Sequence, residues 1–312
     1  MRIFIIGHKS PDLDCISSTV EYSEFLKKIG RYEDAEFVPT RAGEPNNETI
    51  HIFKKFNVEM PVLIDEQQID PEDKFILVDH NEESQRSEKI DPEKIIEIVD
   101  HHKLNLSFTT PLRIDIRPLG STSTIIYELF EMLSLIPSDN VSHLIMASIL
   151  SDTVGLKSST TTGLDVTFVK NLSKKLDVNI EKLTFDIFKA KSDLTELFAK
   201  QIVNKDFKVF DFSGKKVFIG QVETVEPDEV LKDKTNLIKA LEEAKVEQGT
   251  SQAYLFVTDI LKVNSYAIFT TKEEQEIIEK AFTTQGKDWV ADIGPKISRK
   301  KDIAPEIERV LK

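Results

Sequence analysis

Three ligand-type side chains follow the first apolar segment of the chain. His8, Asp12 and Asp14 come directly after Arg2–Ile6 and lie within seven residues of one another. Open α/β sheets bind their ligands at the carboxyl ends of their strands, so these side chains could meet at one edge of a sheet. A single histidine in such a loop is more often structural, but three clustered ligand types favour a metal site.

The same order of apolar segment, carboxylate and histidine recurs at two further places. These are Asp79 and His80 after Phe75–Val78, and Asp100, His101 and His102 after Ile95–Val99. Taken singly, each would be interpreted as a solvated acidic loop after a strand. Because four of the six histidines of the chain lie in these three loops, a shared function is the better interpretation.

Asp152 is a fourth candidate, since it follows the apolar helical stretch Val141–Leu150. Imidazole and carboxylate ligands without thiolates suit Mn²⁺, Co²⁺ or Zn²⁺ better than Ca²⁺, which prefers oxygen alone. The candidates exceed the need of one ion, whereas two ions that share a carboxylate and a water molecule would use them all. Such pairs clamp the attacking and leaving oxygens of phosphoryl transfer, so the sequence predicts a two-metal phosphohydrolase.

Short β-branched segments alternate with amphipathic stretches up to about residue 188, as in βαβ units. The predicted strands are Arg2–Ile6, Phe75–Val78, Ile95–Val99 and Leu112–Ile116, and the predicted helices are Ser17–Lys28, Thr122–Leu133 and Val141–Leu150. We therefore expect an α/β domain with a mainly parallel sheet flanked by helices over residues 1–188.

From Lys205 the pattern changes to strand pairs, separated by a charged helix at Leu237–Val246. The expected pairs are Phe207–Phe212 with Lys216–Val222, joined by a turn at Ser213-Gly214, and Ala253–Thr258 with Ser265–Phe269. This predicts a smaller α+β domain over residues 194–312. We expect a hinge at residues 189–193 and then a helix at Leu194–Asn204.

Composition limits the possible partners. The 312 residues exceed what one hydrophobic core usually supports, and the net charge of -13 disfavours extended nucleic acid. A small phosphate compound held through metal ions remains compatible with that charge. Cys15 is the single cysteine and the apolar run at Ile3–Ile6 is too short for a signal peptide or a membrane span, so we expect a cytoplasmic protein without disulfides.

Together, the motifs resemble the four signatures of the DHH phosphoesterases, in the same order. They are His8-x-x-x-Asp12-x-Asp14, Asp79-His80-Asn81-Glu82, Asp100-His101-His102 and Ser151-Asp152-Thr153. The run from Gly120 to Thr124 is similar to the family's stretch ahead of a helix. Lys208 and the run Ser298-Arg299-Lys300-Lys301, followed by Pro305, resemble the substrate-binding residues of a DHHA2-type second domain. The combination points to the family II, manganese-dependent inorganic pyrophosphatases.

This resemblance implies a role for each matching residue. His8 and Asp12 would hold one metal ion, Asp14, His101 and Asp152 the other, and Asp79 would bridge them. His102 would assist the leaving phosphate as a hydrogen-bond or proton donor, while Lys208, Arg299 and Lys300 would bind phosphoryl oxygens across an interdomain cleft. Basic runs are commonly only solvated surface, but arginine offers phosphate a planar bidentate fork.

The resemblance also implies the reaction and its cofactors. Pyrophosphate would be hydrolysed to two phosphates by a water activated by two Mn²⁺ or Co²⁺ ions per subunit, with additional Mg²⁺ accompanying the substrate. A homodimer through the first domain is expected, as is closure of the domains over the substrate.

Two positions in the first motif leave other substrates open. Ser10 stands where pyrophosphatases usually carry Asn, and Leu13 stands where they carry Thr or Ser, which is closer to the DHHA2 exopolyphosphatases and prune-like proteins. Those relatives usually lack a histidine at the position of His8, which favours pyrophosphate. A short-chain polyphosphate hydrolase is the alternative, and another DHH phosphodiesterase comes third. A non-catalytic protein is disfavoured because every ligand position carries a competent side chain.

Overall fold

The computed structural model describes residues 1–194 and 197–312, in two compact units that we call unit 1 (Met1–Lys191) and unit 2 (Ser192–Lys312). The boundary falls inside the expected hinge at 189–193, whose first three residues still belong to a helix. The hinge and the domain limits stay predictions.

Unit 1 contains a parallel sheet of six strands. They are β1 (Arg2–Ile6), β2 (Glu36–Arg41), β3 (Val62–Leu63), β4 (Lys74–Val78), β5 (Ile95–Asp100) and β6 (Arg113–Ile116). Their order is β3-β2-β1-β4-β5-β6, which is that of doubly wound α/β sheets. The order along the chain reverses at β1, so the carboxyl ends of β1 and β4 form the switch point where such sheets bind ligands.

The four predicted strands are confirmed to within one residue at each end. Their continuous apolar character follows from burial, since residues Ile3–Ile6 and Phe75–Val78 are 0% exposed on a sheet covered by helices. The sequence analysis does not predict β2 and β3. Pro39 lies within β2 and argues against a strand, but β3 pairs with β2 only from Thr40 onward, so Pro39 lies beyond that pairing.

The helices of unit 1 surround this sheet. They are α1 (Leu13–Ile29), α2 (Asn47–Lys55), α3 (Thr122–Met132), α4 (Asp139–Asp152), α5 (Gly163–Leu176) and α6 (Ile180–Lys191). The three predicted helices are confirmed, and α1 begins four residues earlier than expected because the Asp12 side chain caps it by accepting the Cys15 N–H. Ser121 caps α3 in the same way, through the Thr124 N–H. Both helices therefore begin at the end of the unit where β1 and β4 end.

Unit 2 contains a mixed sheet with helices on both faces. Its strands are β7 (Phe207–Phe212), β8 (Lys215–Thr224), β9 (Gln252–Asp259), β10 (Asn264–Phe269) and β11 (Val290–Gly294), in the order β11-β10-β9-β8-β7. Its helices are α7 (Ala199–Lys205), α8 (Pro227–Lys232), α9 (Lys234–Glu247), α10 (Lys272–Phe282) and α11 (Ala304–Leu311). The predicted α+β class is confirmed.

Both predicted strand pairs of unit 2 are present and antiparallel. Ser213 and Gly214 form the first turn with φ angles of 57° and 87°, and two positive φ angles are what a type I′ hairpin requires. Strands β8 and β9 are parallel, because α8 and α9 supply the crossover between them.

The expected helix at Leu194–Asn204 is wrong at its start. It includes residues 195 and 196, which lie outside the described residues, and Leu194 itself is not helical. The helix begins at Ala199, where the Gln201 side chain accepts the Phe198 N–H at 2.9 Å and so caps the first turn.

Among the described residues, no helix is both long enough and apolar enough to cross a membrane.

Candidate metal centre

The six predicted metal ligands lie together at one edge of the unit 1 sheet. His8 follows β1, Asp79 follows β4 and His101 follows β5, so three neighbouring strands supply three of them. The other three are carried by helices: Asp12 and Asp14 at the start of α1, and Asp152 at the end of α4. The fold thus gathers residues from the whole length of unit 1 at its switch point.

Asp79 lies between two histidines. Its Oδ2 is 3.5 Å from Nε2 of His8, and its Oδ1 is 3.3 Å from Nε2 of His101. The side chain is 2% exposed; burial alone would raise its pKa, but hydrogen bonds with His101 and His8 lower it. Each carboxylate oxygen of Asp79 therefore faces a different histidine, which is the arrangement that a bridging ligand needs.

One group of potential ligands lies on each side of Asp79. On one side, ligand atoms of Asp14, His101 and Asp152 all lie within 4.8 Å of one another, with Nε2 of His101 3.7 Å from Oδ2 of Asp152. On the other side, Nε2 of His8 is 3.9 Å from Oδ1 of Asp12. These two groups correspond to the two sets of ligands that the resemblance implies, and their metal-binding roles stay predictions.

The charges of this cluster fit divalent cations. Burial, followed by the charge of Asp79, raises the pKa of Asp14 to about 7. Burial and neighbouring carboxylates also raise the pKa of Asp12 and of Asp152. Four carboxylates of one cluster thus repel one another, and bound divalent ions would relieve this repulsion.

The second ring nitrogens set the orientation of two histidines. Nδ1 of His101 lies 3.1 Å from the Leu119 carbonyl oxygen and donates to it, which turns Nε2 toward Asp79. Nδ1 of His102 lies 2.8 Å from Oδ1 of Asp100 and donates to that buried carboxylate. Oδ2 of Asp100 in turn accepts from Asn81 at 2.6 Å, so Asp100 is itself held in place. His102 is half exposed, with Nε2 on the ring edge away from Asp100.

The N-terminus of α3 holds two of the predicted ligands at once. The backbone N–H groups of Thr122 and Ser123 donate to the two oxygens of Asp14 at 2.7 and 3.1 Å. The Thr122 hydroxyl donates to Oδ1 of Asp79 at 3.0 Å. A helix N-terminus favours negative charge, so α3 stabilises both carboxylates. The sequence analysis selects the run from Gly120 to Thr124 but does not predict these contacts.

Cys15 is a further neighbour that the sequence analysis does not connect with the site. It is a free, buried cysteine whose Sγ accepts the His8 N–H at 3.1 Å. A Cβ atom on Gly7 would lie 2.1 Å from this Sγ, so only glycine fits at position 7. Burial raises the pKa of the Cys15 thiol, which identifies it as a neutral packing group.

The predicted phosphate-binding residues lie in unit 2. Arg299 donates to the carbonyl oxygen and to Oδ1 of Asp206, at 2.9 and 2.7 Å. Asp206 and the exposed Lys208 are two residues apart in extended chain, so their side chains leave the same face of β7. Lys300 is exposed in the π-helical turn Arg299–Ile303. Arg299 is thus held by the residue that precedes β7, and Lys208 is the second residue of that strand. The phosphate-binding role of both stays a prediction.

Known protein families match both units. The DHH family, N-terminal domain, matches residues 2–151, and the DHHA2 domain matches residues 186–310. A manganese-dependent inorganic pyrophosphatase of Methanocaldococcus jannaschii is 37% identical over 98% of both chains. One of Methanothrix thermoacetophila is 35% identical over 100% of this chain and 99% of its own.

Solved structures agree with this match. A Methanococcus jannaschii protein assigned to the family II inorganic pyrophosphatases has a TM-score of 0.61 and 37% identity, over 99% of both chains. An exopolyphosphatase-related protein of Bacteroides fragilis, at 14% identity and a TM-score of 0.53, covers 99% of this chain and 91% of its own and shares the fold. Because the identity to the pyrophosphatases extends over the full length of both domains, the chain belongs to the family II, manganese-dependent inorganic pyrophosphatases.

Proposed function

We propose that the chain hydrolyses inorganic pyrophosphate to two phosphates. The observation that carries the proposal is the position of Asp79, with one oxygen toward His8 and the other toward His101. The full-length similarity to proteins named manganese-dependent inorganic pyrophosphatase supports pyrophosphate as the substrate. The exopolyphosphatase alternative rests on Ser10 and Leu13, which depart from the usual pyrophosphatase motif.

Two Mn²⁺ or Co²⁺ ions would be held by the cluster around Asp79. His8 and Asp12 would hold one ion, Asp14, His101 and Asp152 would hold the other, and Asp79 would contact both. Bound in this way, the ions would lower the pKa of a water molecule and neutralise phosphate charge. Additional Mg²⁺ accompanying the pyrophosphate is part of the same proposal.

Other side chains act on the substrate directly. The hydrogen bond from Nδ1 to Asp100 raises the pKa of His102, so the protonated ring would present its Nε2–H as a hydrogen-bond or proton donor to the leaving phosphate. Lys208, Arg299 and Lys300 bind phosphoryl oxygens. Asp206 holds Arg299 through two hydrogen bonds, so the guanidinium is ordered before the substrate arrives.

Phosphate release after removal and return of metal tests this proposal. The chelated protein should be inactive on pyrophosphate and should recover with Mn²⁺ or Co²⁺ to a greater extent than with Zn²⁺ or Mg²⁺ alone. Tripolyphosphate and a cyclic dinucleotide serve as competing substrates in the same assay. Faster phosphate release from tripolyphosphate would establish the exopolyphosphatase alternative, and the absence of release with any metal would refute a hydrolase.

Substitutions in unit 2 test the phosphate-binding residues. We expect Lys208→Ala and Arg299→Ala to raise KM and to lower kcat/KM by about 10- to 100-fold, since each removes a charged contact worth about 1.5–3 kcal/mol. Bound manganese, measured by atomic absorption, should stay as in the wild type. Lys216→Ala removes another exposed lysine of unit 2 and is the control. Loss of manganese from Lys208→Ala or Arg299→Ala would assign them to the metal site instead.

A homodimer through unit 1 and a cytoplasmic location complete the proposal. In the described residues, β6 pairs only with β5, and Ile114 on this edge strand is 43% exposed, as expected of a strand that a second copy could cover. The buried thiol of Cys15 needs no oxidising compartment, and the net charge of -13 disfavours nucleic acid as a partner. Sedimentation of the wild type and of Ile114→Lys tests the dimer, since an unchanged mass would refute this edge as the interface.

A further inference from the structure

The two histidines that face Asp79 differ in how their second ring nitrogen is held. Nδ1 of His101 donates to the Leu119 carbonyl oxygen at 3.1 Å. His8 turns Nε2 toward Asp79 and Asp12, and no protein atom among residues 1–194 and 197–312 forms a hydrogen bond with its Nδ1. Metal-binding histidines almost always donate their other N–H to an acceptor. His8 therefore needs an acceptor that the hydrogen bonds already described do not supply.

The ring of His80 carries an acceptor of this kind. His80 is 2% exposed, and its Nδ1 lies 3.0 Å from the Val78 carbonyl oxygen, so Nδ1 carries the proton and Nε2 the lone pair. This Nε2 is buried and has no hydrogen-bond partner in the part of the chain that the structure describes. The His80 ring meets the His8 ring edge to face, with centroids 6.5 Å apart and planes at 85°. In the described residues, the ring of His8, whose Nδ1 has no acceptor, thus contacts the ring of His80, whose Nε2 has no donor.

We propose that His80 is a positioning residue for His8: its Nε2 accepts the hydrogen of His8 Nδ1, directly or through one bridging water. A single water can accept from one ring and donate to the other, as buried waters commonly do between unsatisfied polar groups. The contact fixes the tautomer in which Nε2 of His8 is a free lone pair. The inference rests on the metal centre proposed above.

In this arrangement, each ion site contains a histidine whose Nδ1 is held by a hydrogen bond, but the acceptor differs between the two sites. The Leu119 carbonyl oxygen accepts directly from Nδ1 of His101. The Val78 carbonyl oxygen accepts from Nδ1 of His80, and His80 in turn would accept from Nδ1 of His8. Val78 ends β4 and Asp79 follows it, so the end of one strand would orient both the bridging carboxylate and the histidine beside it. Loss of the His80 acceptor should therefore weaken one ion site and spare the other.

Calorimetric titration with Co²⁺ separates the two sites when each is disabled in turn. In a His101→Ala background, where the His8 site remains, His80→Leu should weaken Co²⁺ binding by about 10- to 100-fold, the usual effect of losing such a partner. His80→Gln keeps an acceptor near the Nε2 position and should restore most of the affinity. In a His8→Ala background, His80→Leu should have no effect, because the group that it supports is absent.

A matched control and a structural readout complete the design. His143 also bonds a backbone carbonyl through Nδ1, to Asp139 at 2.7 Å, but lies near the opposite end of α4 from Asp152, so His143→Leu should leave Co²⁺ affinity unchanged. Metal-free His80→Leu should melt at the wild-type temperature. A lowered melting temperature together with equal losses of affinity in both backgrounds would mean a merely structural role and would overturn the inference.

The outcomes also separate this inference from the proposed function. Wild-type protein that binds two Co²⁺ ions, with His80→Leu unchanged in the His101→Ala background, would refute the role of His80 and leave the metal centre intact. Wild-type protein that binds no Co²⁺ would refute the metal centre and the inference together. If His80→Leu does not fold, His80→Phe takes its place in both backgrounds, because it keeps an aromatic ring without an acceptor nitrogen. A loss of affinity confined to the His101→Ala background supports the role, and unchanged affinity there refutes it.

Discussion

Asp79 is held in an unusual backbone conformation. Its φ angle is 60°, and its N–H donates to the Val99 carbonyl oxygen at 3.0 Å, which continues the pairing of β4 with β5 by one residue. A positive φ at a residue other than glycine costs on the order of 1–3 kcal/mol and persists where the surrounding contacts hold the backbone in place. Here it turns the carboxylate into the space between His8 and His101.

We predict that Asp79→Ala reduces kcat/KM by at least about 10³-fold, more than the loss from Asp12→Ala, because a bridging carboxylate sets the position of both ions. Bound manganese should fall for both sites in Asp79→Ala and for one site in Asp12→Ala. Steady-state kinetics and metal analysis of the same samples check this. Activity of Asp79→Ala within a few-fold of wild type would refute the bridging role.

Glu21 is a buried acid that lies next to the proposed metal centre. It is 0% exposed, and its Oε1 accepts from the Ser123 hydroxyl at 3.1 Å, while the Ser123 N–H donates to Asp14. Burial, followed by the charge of Asp14, raises the pKa of Glu21 well above 4.5. A raised pKa in the folded state gives stability that is complete below the unfolded pKa and is lost as pH rises toward the folded pKa.

We therefore predict that Glu21→Gln becomes progressively more stable than wild type as pH rises above 4.5. The wild type should lose about 1.4 kcal/mol of unfolding free energy per pH unit from this group until its folded pKa is reached, and glutamine has no such slope. Urea unfolding of both metal-free proteins between about pH 5 and pH 8 measures the difference. Parallel curves would show that Glu21 is ionised in the folded state.

Helix α3 positions two of the predicted metal ligands. Its first residues, Thr122 and Ser123, supply two backbone N–H groups and one hydroxyl to Asp14 and Asp79. Gly120 precedes the helix and allows Asp165 to approach, since a Cβ atom there would lie 2.5 Å from Oδ2 of Asp165. Asp165 in turn accepts from the Gly120 N–H and the Thr124 hydroxyl, which fixes the start of the helix.

Thr122→Val should weaken manganese binding by about 10- to 100-fold, because it removes the hydroxyl that orients Asp79 and leaves the backbone N–H groups in place. Thr122→Ser keeps the hydroxyl and is the matched control, with affinity close to that of wild type. Isothermal titration with Mn²⁺ distinguishes the two variants. Equal affinities for Thr122→Val and Thr122→Ser would show that the hydroxyl plays no part.

At the scale of the whole molecule, the predicted metal ligands all lie in unit 1 and the predicted phosphate-binding residues in unit 2. A ligand stabilises the structure that binds it, by about 2.7 kcal/mol per site at 100-fold excess over Kd. We predict that Mn²⁺ without substrate slows amide hydrogen exchange at the ends of β1, β4 and β5 and leaves β8, β9 and β10 unchanged. Hydrogen-exchange mass spectrometry of the intact chain measures this, and equal protection in both units would place metal ligands in unit 2 as well.

The sequence by itself determined much of this protein. The ligand types and their positions after apolar strands sufficed to predict the parallel sheet and the gathering of the potential metal ligands at its carboxyl edge, because buried parallel strands are continuously apolar and end where ligands bind. The change of pattern near residue 205 likewise predicted the α+β fold of unit 2. Long-range contacts decided the rest. The contacts of Thr122 with Asp79 and of His80 with His8 depend on which side chains lie opposite each other, and such pairings leave no periodic signal along the chain. Strand β2, with its proline, is stabilised by its place beside β1 rather than by its own residues. Tertiary structure also decided that Asp79 faces both His8 and His101, since that position depends on the order in which β1, β4 and β5 join the sheet.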